Sequence, residues 1–122
     1  MSNITTHVLD TVLGKPAVGV LVQLDRMLGG VGWSKEGARH EDAEWITVST
    51  CQTDNDGRCS KLKTDAAPGF YRLTFNTDAY FRALGRTSIY PEISITFNCD
   101  GDAHYHLPLL LSDNSYTTYR GS

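Results

Sequence analysis

The chain has 122 residues, 11 of them basic and 14 acidic, with 40% apolar side chains. That length supports one domain able to bury roughly two-thirds of the surface its unfolded form exposes. A formal charge of −3, with Lys and Arg scattered rather than gathered, argues against nucleic acid or an anionic membrane as partner, and the longest apolar run, Leu107 to Leu111, is too short to span a bilayer.

Period-two alternation recurs along the chain and a 3.6 period appears once, which predicts mostly antiparallel sheet with one short helix. Ile4 to Asp10 reads as a first strand, with His7 on the face opposite Ile4 and Val8, and Gly14-Lys15-Pro16 ends it in a turn. Val18, Val20, Val22 and Leu24 share one face of a second strand ending near Arg26. Residues 29–44, rich in glycine and charge, read as a surface loop insertion. A third strand runs from Trp45 to about Cys51, and Asp54-Asn55-Asp56-Gly57 is a tight-turn signal that sets Arg58 just past it. Phe70 to Phe75 forms another strand. Asn76, Thr77 and Asp78 then offer N-cap oxygens to a helix from Ala79 to Leu84, stopped by Gly85. Ile89, Ile93, Ile95 and Phe97 line one face of a long strand, and two more follow at about 103–111 and 115–120. Seven or eight short strands with such turns imply a β-sandwich over residues 1–122. Its last strand has few charges to blunt an open edge, so association into a homo-oligomer is expected.

Cys51, Cys59 and Cys99 are odd in number and lack CxxC spacing, which predicts free thiols in a reducing compartment. The start of the chain lacks the basic and long apolar regions of a signal peptide. Its end lacks a peroxisomal Ser-Lys-Leu, so the expected compartment is the cytoplasm, with the peroxisome as alternative. His104 and His106, two apart on one strand face, have the spacing of a metal pair, but a zinc site needs further ligands and none stands at a recognisable interval. Taken singly, His7 reads as a structural strand histidine, Arg58 as a solvated charge and Tyr119 as a strand aromatic. Ser122 has no Ser-His-Asp pattern around it. Residue chemistry alone reaches a β domain with candidate acid–base histidines.

Two collinear segments carry more. His7-Val8-Leu9-Asp10 with Gly14-Lys15-Pro16-Ala17 near the start, and Tyr105-His106-Leu107-Pro108 through Leu111-Ser112 near the end, resemble the transthyretin-related family. Within it the closing Tyr119-Arg120-Gly121-Ser122 is similar to the 5-hydroxyisourate hydrolase branch, whereas the hormone-carrying transthyretins lack that tetrapeptide and differ where His7, Arg58 and His106 stand. The resemblance implies a sandwich of two four-stranded sheets with one short helix, a homotetramer with sites at the dimer–dimer contact, a small-molecule substrate and no cofactor. It also implies that His7, Arg58, His106 and Ser122 act in catalysis and that His7, Arg58 and Tyr119 bind substrate. Asp113-Asn114 stands where the family usually has proline and an aromatic, and the 29–44 loop is longer than in compact members. The competing reading is a non-catalytic carrier of a small aromatic ligand.

Overall fold

A computed structural model of the protein describes residues 2–28, 44–101 and 104–121. Its first strand, β1 (Ser2–Asp10), is the scaffold of one sheet: Ile4, Thr6, Val8 and Asp10 are buried while Thr5, His7 and Leu9 occupy the half-buried opposite face. This is the period-two pattern that one packed and one open face impose on a strand. β2 (Lys15–Pro16) pairs antiparallel with the far end of β1 through Leu9 and Asp10. β3 (Leu21–Leu28), β4 (Glu44–Gln52), β6 (Gly69–Asn76) and β7 (Ile93–Cys99) form a four-stranded antiparallel sheet in the order β4-β3-β6-β7. β5 (Arg58–Ala66), β8 (His104–Leu111) and β9 (Tyr116–Thr118) join β1 and β2 in a five-stranded sheet.

Between the sheets lies a core that includes Ile4, Val8, Leu109 and Leu111 from one side and Val22, Leu24, Leu73 and Phe75 from the other. Helix α1 (Thr77–Ala83) follows β6. Asn76 caps it, its side chain accepting a hydrogen bond from Ala79 N–H at 3.2 Å, and Phe81 turns into the core. The helix ends at Leu84, followed by Gly85 at φ +68°, as the glycine signal predicts.

The structure departs from the sequence reading in several places. β1 and β8 are parallel, from Asn3 opposite His104 to Asp10 opposite Leu111, so the sheet is mixed rather than wholly antiparallel. Residues 58–66 form a strand that the alternation hid: Lys61, Lys63 and Asp65 break the apolar period, and bulges interrupt its pairing with β1. Val18 and Ile89 are exposed and precede their strands rather than belonging to them. The predicted insertion at 29–44 lies outside the described residues except for Glu44.

The cysteine expectation is also corrected. Cys51 on β4 and Cys59 on β5 are disulfide-bonded with Cα atoms 6.2 Å apart, leaving Cys99 as a buried free thiol. The turn between them carries the chain from one sheet to the other and brings together residues whose spacing has no signature in the sequence. Reduction by a dithiol should lower stability by roughly 2–3 kcal/mol, the loop-closure contribution of so short a ring. An unchanged urea midpoint on reduction would show that the bond contributes nothing.

Candidate active site

The turn before Arg58 begins the site. Asp54 Oδ1 accepts hydrogen bonds from the backbone N–H groups of Asp56 at 2.9 Å and Arg58 at 3.0 Å, and these bonds hold the Asp54 carboxyl below its ordinary range. Gly57 has φ +74°, and its backbone carbonyl accepts from Val8 N–H at 2.7 Å. A Cβ added at Gly57 would stand 2.4 Å from Val8 O, so only glycine lets the turn dock this closely on β1. The docked turn delivers Arg58 into register directly opposite His7.

On the other side of β1, the parallel ladder sets His106 opposite Thr5 and His104 opposite Asn3. Alternation sends His104 and His106 outward while Tyr105 and Leu107 are buried. Three strands thus bring His7, Arg58 and His106 to one patch of the outer sheet face. A depression of about 380 Å³ lies there, lined by Thr5, Thr6, Arg58, Ser60, His104 and His106. The His7 and His106 ring centroids are 6.5 Å apart, and the His104 ring stacks on His106 at 6.1 Å.

His106 is the half-buried member. Burial, and then the positive charge of Arg58, His104 and His7, push its pKa below the ordinary imidazole value. The neutral ring, able to accept a proton, is therefore the dominant form at neutral pH. Its Nδ1 lies 2.8 Å from Thr5 Oγ1. The tail closes over the same residue: Gly121 N–H donates to the His106 carbonyl at 2.7 Å, and a Cβ added at Gly121 would meet His106 Cδ2 at 2.7 Å. Arg120 stacks on the Tyr105 ring at 4.1 Å and donates to the His104 carbonyl at 3.1 Å. The terminal segment is thus tied to β8 at alternate residues.

Of the residues singled out in the sequence, His7, Arg58 and His106 come together. Tyr119 is 53% exposed and does not line the depression, and Ser122 lies outside the described residues. Thr5, Ser60 and His104 also line the site; Thr5 and His104 each stand two positions along a legible strand from His7 and His106, so strand period indicates them, whereas Ser60 lies on β5, whose pattern hides the strand. Among the described residues no group of three His, Cys, Asp or Glu is arranged to hold a metal ion. Asp113 and Asn114, the departure from the family pattern, are both engaged: Arg86 donates to Asp113 at 2.5 Å and Ile89 N–H to Asn114 Oδ1 at 3.1 Å. No helix among the described residues is long and apolar enough to cross a membrane.

Residues 4–121 match the HIUase/Transthyretin family. A 5-hydroxyisourate hydrolase of Mus musculus is 40% identical over 124 residues, covering 99% of this chain and 96% of that protein. The structure of Klebsiella pneumoniae 5-hydroxyisourate hydrolase superposes with a TM-score of 0.81 at 34% identity over the full length of both chains. Sea bream transthyretin in complex with thyroxine superposes with a TM-score of 0.80 at 29% identity, covering 98% of this chain and 94% of that one. Backbone similarity is therefore nearly the same for the hydrolase and for the thyroxine-bound transthyretin, and the side chains on the outer face must discriminate.

Proposed function

Because the chain belongs to the HIUase/Transthyretin family, we infer from the chemistry of its outer sheet face that it hydrolyses 5-hydroxyisourate to 2-oxo-4-hydroxy-4-carboxy-5-ureidoimidazoline, a step of urate degradation. The observation that carries this reading is the convergence of two imidazoles and a guanidinium from three strands on one patch of the outer sheet face, with Arg58 and His106 lining the depression there. A carrier of an aromatic ligand has no use for paired proton-transfer groups.

Ring opening has three requirements. Water loses a proton as it attacks the C6 carbonyl, the oxyanion that forms is stabilised, and N1 gains a proton as the C6–N1 bond breaks. His106, neutral and half-buried, is suited to take the proton from water. His7, across the pair, is suited to deliver one to the leaving nitrogen. Arg58 presents a planar fork of donors to the substrate's oxygens and offsets the developing negative charge. The family resemblance adds Tyr119 to orient the ring and Ser122 to position a histidine or the water. The scheme needs no cofactor.

The active assembly is a homotetramer with its clefts at the dimer–dimer contact. The support is that β7 and β9, each at an edge of its sheet, carry no charged residue to keep another chain away, and that the depression lies on an open sheet face which a partner can roof. The cytoplasm remains the proposed compartment; the Cys51–Cys59 bond argues against it, because disulfides persist mainly where the surroundings are oxidising.

The direct test generates 5-hydroxyisourate from urate and follows its ultraviolet decay with and without the protein. Unaccelerated decay, with an aromatic ligand bound instead, would favour the carrier. Arg58→Lys keeps the charge and loses the fork, so KM should rise by about tenfold with a smaller fall in kcat. An unchanged kcat/KM in that variant would make the arginine peripheral.

A further inference from the structure

The contact between Thr5 and His106 has a role that the ring-opening scheme does not assign. The two residues are partners across the β1–β8 ladder, and Thr5 Oγ1 lies 2.8 Å from His106 Nδ1. Threonine is β-branched and its χ1 is stiff on a strand, so the hydroxyl is held in place by the backbone rather than by further bonds. His104 Nε2 is 3.5 Å from the same oxygen, too far to compete with the shorter contact. On the ring's other side the tail passes so close that a Cβ at Gly121 would stand 2.7 Å from Cδ2, and Gly121 N–H is bonded to the His106 carbonyl at 2.7 Å. Nδ1 and Cδ2 are the two ring atoms next to Cγ, so fixing both sides leaves Nε2 at the far edge of the imidazole.

We propose that Thr5 is a positioning residue of this site, its hydroxyl accepting a hydrogen bond from His106 Nδ1–H so that Nε2 is the unprotonated nitrogen presented to water. The proposal rests on the hydrolase reading for its consequence, but the tautomer it assigns does not. A neutral hydroxyl at Nδ1 orients the ring without adding the negative charge a carboxylate would bring. The imidazole thus keeps the depressed proton affinity that burial and the neighbouring cations give it. Among the described residues no carboxylate is paired with His106.

The test uses the full chain with Thr5→Val, which preserves shape and strand preference, and Thr5→Ser, which restores the hydroxyl. Two readouts are taken: the tautomer of the His106 ring by nitrogen NMR in the ligand-free protein, and kcat, KM and the pH profile on 5-hydroxyisourate. The wild type should carry its proton on Nδ1. Thr5→Val should show a mixture of tautomers, with kcat lowered about tenfold and KM within twofold, less than the 10²–10⁴ of a complete proton-transfer contribution. Thr5→Ser should recover both. If Thr5→Val does not fold, Thr5→Ala takes its place. A wild-type Nε2–H tautomer, an unchanged tautomer or kcat in the variant, or no recovery with serine overturns the proposal. A wild type with no turnover defeats the hydrolase reading, while the tautomer measurement still judges the contact.

Discussion

His106→Ala should lower kcat by at least about a hundredfold, the lower end of what general acid–base catalysis contributes, with the fold intact. The magnitude follows from where the ring sits. It is half-buried on β8, and burial, together with the nearby charge of Arg58, His104 and His7, disfavours the imidazolium. A base must be unprotonated before reaction, so the acid limb of kcat/KM in the wild type should lie below the ordinary imidazole value of 6.5. Activity rises as pH climbs through that lowered pKa. Removing the ring should abolish this limb as well as the rate, leaving a shallow profile from the remaining groups. His7→Ala should cause a loss of similar size, but with the acid limb still present. Near-wild-type kcat in folded His106→Ala protein would exclude the residue from proton transfer.

How much of this was visible in the sequence depends on the range of the interaction that sets each feature. The first strand, the Asp54–Gly57 turn and the helix after Asn76 are specified by neighbours within a few residues, through alternation, positive-φ tolerance and capping, and each was readable. β5 was not, because its outward lysines face solvent while its stability comes from pairing with β1 more than fifty residues away. The Cys51–Cys59 bond was misjudged for the same reason: the crossing from sheet to sheet, not the spacing, makes the pair. At the site, family resemblance identified His7, Arg58 and His106, but only the parallel register of β1 and β8 shows that Thr5 faces His106. That register joins residues about a hundred positions apart, and no local pattern encodes it.

Arg86 has no part in the proposed chemistry, yet replacing it should produce a large loss of stability. Its guanidinium donates to Asp10 Oδ2 at 2.5 Å and to Asp113 Oδ1 at 2.5 Å, and it lies over the Phe81 ring at 4.8 Å. Asp10 is fully buried at the end of β1, three residues beyond His7. Burial alone would push the Asp10 carboxyl upward, but hydrogen bonds from Arg86, Tyr80 and the Leu13 N–H, with the Arg86 charge, outweigh it and hold the group below its ordinary value. Arg86→Met removes the compensating charge and leaves a buried carboxylate, which costs about 3–5 kcal/mol in comparable settings. The lower end applies here, because Tyr80 O–H at 2.7 Å and the N–H groups of Val12 and Leu13 at 3.1 Å still donate to Asp10. The sign with pH is fixed by the depressed pKa. The stability this carboxylate contributes is complete above its unfolded value near 3.8 and is lost as pH falls through the lower folded value. The gap between wild type and Arg86→Met in urea denaturation should therefore be widest near neutrality and narrow below pH 3.8. Equal midpoints at pH 7, or a gap that widens in acid, would show that the clamp on Asp10 does not secure the strand that carries His7.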